Sequence, residues 1–226
     1  MSLPSFGAGR RIYLCSPSGA LLDAARLSRG LDTLTALGFR LELDPALGAR
    51  FQRFAGTDAE RLAALYRAAE SGCELVMASR GGYGLTRLLP LIDWSRLHGP
   101  LWIGHSDFTA LALAGLPRGL SSWNGPMLMY DFGAESPDPG TLQHFANALT
   151  GSIDVQFDLD SDAPAELDVT GQLWGGNLSM LQSLLGTPWW PAIDDGLLWL
   201  EDVNETPYRI EQVAAVPAGV GFNHRH

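Results

Sequence analysis

Positive charge, cysteine and long apolar runs are all scarce in this chain of 226 residues. Lys and Arg total 15 against 25 Asp and Glu, a formal net charge of -10. Nucleic acid and anionic membrane surfaces repel such a chain at physiological salt, which leaves small molecules and proteins as expected partners. Only two cysteines occur, Cys15 and Cys73, each inside or beside an apolar run. That pattern suits buried reduced thiols, excludes a disulfide framework and points to the cytoplasm. Nowhere do about 18 uncharged apolar residues run together, and MSLPSFGAGRRIYLC has no apolar core followed by a small-residue cleavage site. Neither membrane spanning nor export is expected. H-E-x-x-H and C-x-x-C are missing and the five histidines are scattered, so no metal site and no cofactor is expected. Repeats and low-complexity tracts are absent as well.

What remains is an ordinary globular composition, 46% apolar, with a mean hydropathy of +0.04. RIYLCSPSG reads as a strand ending in a turn, followed by LLDAARLSRGLDTLTALG with helical spacing up to a glycine stop. FRLELD is a strand, DAERLAALYRAAESG a helix capped by Asp58 and ending at Gly72, and CELVMAS and LWIG strands of the doubly buried kind, with DFTALALAG as a further helix. Such alternation predicts right-handed crossovers and an open, largely parallel α/β sheet of Rossmann-like or flavodoxin-like form over residues 1–140. Ligands of these sheets bind beyond the carboxyl ends of the strands. Three of those ends, Ser16–Gly19, Ser79–Gly84 and Gly104–Asp107, are rich in glycine or hydroxyls and are expected to converge on one crevice.

From about Asp131 the texture becomes turn-rich and then acidic, and a linker is expected over 141–166, containing the strand-like DVQFDLDSDAPAELDV. Residues 167–226 are expected to form a smaller α+β domain: GQLWGGNLSMLQSLLG as a glycine-rich turn leading into a helix, and LLWLE as a strand followed by the start of another helix.

Ser106 carries two readings. It is either a cap satisfying orphan N–H groups of the helix that follows, or a nucleophile lifted on a sharp strand-to-helix turn, with the N–H of Asp107 aimed at a developing oxyanion. Phe108 stands where G-x-S-x-G needs its last glycine, which disfavours an α/β-hydrolase. His105 is adjacent but diverges from Ser106 on such a turn; His98 and His144 read as solvated, and His224 and His226 as a frayed chain end or an expression remnant. Glu201 ends an apolar strand, where a base-orienting carboxylate belongs, with Asp202 and Glu205 as competitors. SRGGYG either cradles an anion through backbone N–H groups or is simply a turn, since it matches neither G-x-G-x-x-G nor a Walker loop. Trp123, Trp174, Trp189 and Trp190 line a groove or fill the core.

In chain order, SPSG, ASRGGYGLTRLLPLIDW, WIGHSDFTAL, NGPM, GQLWGGNLSML and LWLEDVNETPYRI resemble the LD-carboxypeptidase family of serine peptidases, which includes muramoyl-tetrapeptide carboxypeptidases and the microcin C immunity hydrolases. The resemblance implies a Ser, Glu, His triad divided between two domains, with Ser106 as nucleophile and Glu201 as the carboxylate. It implies oxyanion donors at the backbone N–H of Asp107 and of Gly82, and substrate contacts from Gly81, Arg80, Trp174, Gly175 and Asn177; Arg209 is a second cation for a substrate carboxylate. Gly219 to His224 is similar to the family's G-x-x-F-G-H segment, with Asn223 replacing its second glycine, and this would make His224 the base. Otherwise the tail after Gln212 is unrelated to the family. On the first reading a piece of the C-terminal domain is expected to be absent between Gln212 and Gly219, with more beyond His226. The implied activity is release of terminal D-alanine from cytoplasmic muropeptides by a homodimer. The alternatives are hydrolysis of a microcin-like aminoacyl-nucleotide, its adenine held by Trp174 or Trp190, and a catalytically inactive peptide-binding protein.

Overall fold

Ile12 and Leu14 point to one side of strand β1 (Arg11–Cys15) and Tyr13 and Cys15 to the other, and all four are buried. A strand apolar on both faces needs cover on both faces, and it receives it. The computed structural model describes residues 6, 7, 9–152, 169–193, 195–203, 205–208, 210 and 211. In chain order β1 is followed by α1 (Ala24–Ala36), β2 (Arg40–Leu43), α2 (Asp58–Glu70), β3 (Leu75–Ala78), α3 (Leu85–Leu88), β4 (Leu101–Gly104), α4 (Phe108–Gly115) and β5 (Ser122–Asn124). These five strands form one wholly parallel sheet in the order β2-β1-β3-β4-β5. This is the flavodoxin-like order, whose switch point between β1 and β3 opens a crevice outside the strand ends.

The two faces hold separate apolar clusters. Tyr13, Cys15, Val76 and Trp102 pack under α2, α3 and α4. Ile12, Leu14, Met77 and Ile103 pack under α1 and a π-helical turn, Leu128–Phe132. Helix α5 (Pro139–Leu149) joins the second cluster, so the first part of the expected linker is instead core-packed helix. The reason is its amphipathic stripe. Leu142, Phe145 and Leu149 are all buried, with the Phe145 ring 5.7 Å from that of Phe132 in an edge-on contact, and each such side chain contributes on the order of 1.5–3 kcal/mol. The expected strand DVQFDLDSDAPAELDV lies, except for Val169, outside the described residues.

A smaller unit follows: β6 (Gln172–Asn177), α6 (Leu178–Leu184) and β7 (Gly196–Glu201), with β6 and β7 paired in parallel. The segment expected as a glycine-rich turn is therefore a strand, with Gly175 and Gly176 inside the ladder. Helix α2 starts one residue earlier than expected, at a Thr57 cap: Thr57 Oγ1 accepts from Glu60 N–H while the Glu60 carboxylate accepts from Thr57 N–H, a reciprocal box. Cys15 and Cys73 are buried free thiols. No helix among the described residues is long and apolar enough to cross a membrane.

The strand ends meet through buried polar contacts. Ser16 Oγ donates to the carbonyl of Leu47 or to Ser79 Oγ, each 2.7 Å away, and Gly19 N–H donates to Gly81 O at 3.3 Å. The Leu47 turn is itself held by Asp44, a carboxylate with no exposed surface that accepts from Tyr13 Oη at 2.7 Å and from two Arg67 nitrogens at 2.9 Å. Burial pushes the Asp44 pKa up, but the Arg67 and Tyr13 hydrogen bonds outweigh it and the net shift is downward. A depressed carboxylate stabilises the fold above its unfolded value, about 3.9 for Asp, and that stabilisation is lost as pH falls through the folded value. Asp44→Asn is expected to cost about 2 kcal/mol at neutral pH, modest for a buried pair because half-exposed Arg67 is screened by water. Urea titrations of both proteins from neutral to acid pH test this: the gap should close as pH falls below the ordinary carboxylate range, and a pH-independent gap would exclude the linkage.

Candidate active site

Ser106 has φ 60°, one of two non-glycine residues among those described in the left-handed region. That conformation costs a serine roughly 1–2 kcal/mol and turns the chain sharply between β4 and α4. Asp107, not Ser106, occupies the cap position of α4, and no side chain caps the helix. The Ser106 side chain instead faces a crevice of about 640 Å³. Gly81 presses against it: a Cβ on Gly81 would stand 2.8 Å from both Ser106 Cβ and Oγ, and 3.5 Å from Asp107 N. Only glycine permits that approach.

The same loop positions two backbone donors. The Gly81 carbonyl accepts from Gly19 N–H at 3.3 Å and from Arg80 Nε at 3.2 Å. Because a trans peptide is planar, the Gly82 N–H points the opposite way. Neither Gly82 N–H nor Asp107 N–H enters a backbone hydrogen bond among the described residues.

Behind the turn lies a buried polar cluster. Asp107 is 1% exposed, and its Oδ2 accepts from Leu85 N–H at 3.1 Å. Burial pushes its carboxyl pKa up, against the influence of Ser18, the Leu85 N–H and the positive charge of Arg61. Fully buried Arg61 donates to Pro17 O at 2.9 Å and to Asp58 Oδ1 at 2.6 Å, with Phe54 4.9 Å from its guanidinium carbon. This cation joins the loop after β1 to the start of α2, directly under the crevice floor.

The opposite wall comes from the smaller unit. Glu201 ends β7 in register with Asn177 at the end of β6, and the Asn177 side chain caps α6 by accepting from Met180 N–H at 3.2 Å. Glu201 Oε1 is buried and has no hydrogen-bond partner among the described residues. Asp202 and Glu205 line the crevice beside it, with Asp202 Oδ2 accepting from Glu205 N–H at 2.8 Å. Among the described residues Arg80 is the one arginine lining the crevice; its Nη1 donates to Ala20 O at 3.2 Å, and its guanidinium carbon lies 5.7 Å from the Tyr130 ring centre. His105 Nε2 lies 3.5 Å from Asp131 Oδ2, an oxygen that also accepts from Met127 N–H at 2.7 Å.

Of the residues singled out in the sequence, Ser106, Asp107, Arg80, Gly81, Gly82, Asn177 and Glu201 all line this crevice. Gly175 is set back against the Trp199 backbone. Trp174 is core, 7% exposed, its ring packed edge-on against Trp190 at 5.6 Å, so the expected substrate contact is corrected to a packing role. Trp123, Trp189 and Trp190 also pack against the two apolar clusters. His98 and His144 are exposed and away from the crevice, while His224, His226 and Arg209 lie outside the described residues. Tyr83, Tyr130 and Asp131 are crevice residues that the sequence reading missed. Tyr83 lies inside the quoted SRGGYG turn, and the other two follow NGPM closely, so proximity to those motifs was the available signal. Ser16 to Gly19 buttress the crevice from behind and do not line it.

The sequence matches the LD-carboxypeptidase N-terminal domain over residues 12–125 and the LD-carboxypeptidase C-terminal domain over residues 170–215. It is 32% identical to a murein tetrapeptide carboxypeptidase of Pseudomonas aeruginosa over 214 residues, covering 89% of this chain and 69% of that protein. A relative from Synechocystis sp. that carries a carboxypeptidase name is 33% identical over 207 residues, covering 91% and 67%. The chain thus spans about two thirds of the length of these curated relatives. The fold superimposes on a crystal structure of muramoyltetrapeptide carboxypeptidase from Oxalobacter formigenes with a TM-score of 0.83, at 36% identity, covering 94% of this chain and 72% of that one. For an MccF-like protein of Bacillus anthracis the TM-score is 0.82 at 23% identity, covering 97% and 76%, a likeness of fold alone. With both domain models matched in order around a left-handed serine that shares its crevice with a glutamate, the chain belongs to the LD-carboxypeptidase family.

Proposed function

We propose that this protein is a serine carboxypeptidase that releases the terminal D-alanine from a murein tetrapeptide, cutting an L,D bond after a diamino acid. The observation that carries the reading is Ser106: a hydroxyl held at φ 60° at the tip of β4, facing the same crevice as Glu201. The buried, unpartnered Glu201 Oε1 supports it, because an acceptor withdrawn from water calls for a donor, and an imidazole N–H is one. His224, outside the described residues, supplies that imidazole on this reading. Buried thiols at Cys15 and Cys73 support a cytoplasmic setting.

The reaction then runs in two halves. The imidazole takes the Ser106 hydroxyl proton as Oγ attacks the carbonyl carbon before D-alanine, while Glu201 holds the ring tautomer and stabilises its cationic form. Negative charge collects on the former carbonyl oxygen, and the Asp107 and Gly82 N–H groups stabilise it; both are unspent in backbone bonding, so no internal bond has to break first. Collapse of the intermediate expels the amine of D-alanine, which takes the proton from the imidazolium. Water, deprotonated by the same imidazole, then opens the acyl-enzyme. Arg80 receives the substrate's terminal carboxylate through the guanidinium edge left free beside Tyr130, a charge-assisted contact in a crevice otherwise rich in acids.

The microcin-type reading needs an exposed aromatic face for a nucleobase. Its two tryptophans, Trp174 and Trp190, are packed on each other, leaving Tyr83 and Tyr130 as the aromatic surfaces at the crevice. Because those two tyrosines still offer a face, the preference rests on the 32% identity to a murein tetrapeptide carboxypeptidase, and the tetrapeptide is assayed beside an aminoacyl-nucleotide.

Release of D-alanine from the tetrapeptide by purified protein tests the nucleophile. Ser106→Ala is expected to lower turnover by roughly a millionfold, and Glu201→Gln by about ten-thousandfold, the scale seen when single members of a serine triad are removed. Turnover by Ser106→Ala near the wild-type rate would refute the assignment. For the carboxylate site, Arg80→Met is expected to raise KM by about 10- to 100-fold, the worth of a charge-assisted hydrogen bond, with little change for a substrate ending in a carboxamide. Equal losses on both substrates would remove Arg80 from that role.

A further inference from the structure

Helix α4 is apolar along its length except for Thr109, which is 2% exposed. A hydroxyl in that position has to answer to something, and it does: Thr109 Oγ1 accepts from the backbone N–H of Asn177 at 3.0 Å. That N–H belongs to the last residue of β6, and the strand could not come so close with a side chain in the way. A Cβ on Gly176 would stand 2.6 Å from Thr109 Oγ1 and 2.8 Å from Asn124 Nδ2. One hydrogen bond thus ties the helix carrying the serine to the strand flanking the glutamate.

The tie is short at both ends. Thr109 N–H donates to Ser106 O at 3.0 Å, so threonine and serine belong to one rigid turn. Asn177 stands directly opposite Glu201 in the β6–β7 ladder. From the serine to the glutamate, the path runs through one backbone hydrogen bond, the Thr109 hydroxyl and the register pairing of Asn177 with Glu201. We propose that Thr109 is a positioning residue: its hydroxyl sets the register between the crevice wall that bears Ser106 and the wall that bears Glu201. The inference rests on the reading of Ser106 and Glu201 as partners in one reaction.

Valine has the shape of threonine but leaves the Asn177 N–H without an acceptor, whereas serine keeps the oxygen. The rate at which a fluorophosphonate probe modifies Ser106 is measured for wild type, Thr109→Val and Thr109→Ser, alongside kcat and KM on the tetrapeptide. Thr109→Val is expected to slow labelling and to lower kcat by about 10- to 100-fold, the scale carried by a misplacement of up to an ångström. KM should stay put because the Arg80 side is untouched, and Thr109→Ser should recover most of the rate. In a Glu201→Gln background the Thr109→Val effect is expected to vanish, since the two changes act on one link. Wild-type labelling of Thr109→Val, or an undiminished effect in the Glu201→Gln background, overturns the proposal; should the valine variant not fold, Thr109→Ala takes its place. Absence of labelling in the wild type is a failure of the nucleophile reading instead. The positioning role is then judged by amide hydrogen exchange at Asn177: faster exchange in Thr109→Val than in Thr109→Ser upholds it, and equal exchange sinks it.

Discussion

Ser106 at φ 60° is a conformation that serine does not choose by itself, and such a conformation persists only where its neighbours over-determine it. Here they do so from three directions. The Gly81 backbone lies against Ser106 Cβ and Oγ. The Ser106 carbonyl is engaged by Thr109 N–H. The following residue, Asp107, is anchored through its buried carboxylate to the start of α3. Relaxing the serine to an ordinary φ would turn its hydroxyl out of the crevice and break the alignment of the two unspent N–H groups. The close approach of Gly81 and the anchored Asp107 carboxylate both bear directly on that one residue.

The charge distribution has the same centre. Arg61, fully buried, binds the loop after β1 to α2 through Pro17 O and Asp58, while its charge only partly opposes the upward push that burial gives the Asp107 pKa. A buried ion pair of this kind adds little net stability compared with apolar packing, while loss of one partner strands a charge. The contacts of Arg61 fix the loop after β1 against the start of α2. Among the described residues that line the crevice, Asp107, Asp131, Glu201, Asp202 and Glu205 outnumber Arg80.

Much of the parallel sheet was legible because its determinants are local. Doubly apolar strands such as Leu75–Ala78, and helices whose Leu and Ala spacing runs to a glycine stop, announce themselves within a dozen residues, whereas the Thr57 cap of α2 lies one residue before the Asp58 expected. Of the three glycine- and hydroxyl-rich strand ends, the topological rule placed Ser79–Gly84 and Gly104–Asp107 at the crevice, while Ser16–Gly19 lies behind it. Helix α5 was taken for linker because GAESPDPG before it dominates the local texture, although its stripe of Leu142, Phe145 and Leu149 was present to be read. Gly175 and Gly176 looked like a turn since glycine usually marks one; here they let β6 pass close to β7 and α4, a demand made by residues far away in the chain.

From residue order alone came the context of Ser106, the acidic character of the protein and the alternation that builds an open parallel sheet, since each depends on neighbours a few positions apart. Folding in three dimensions settled which aromatics face solvent: Trp174 is enclosed by Trp190, whereas Tyr83 and Tyr130 stand at the crevice. It also settled that Thr109 meets Asn177, and thereby how the serine and glutamate walls face one another. No pattern of spacing encodes such contacts, because they arise from surfaces that become neighbours only when separate stretches of chain pack together.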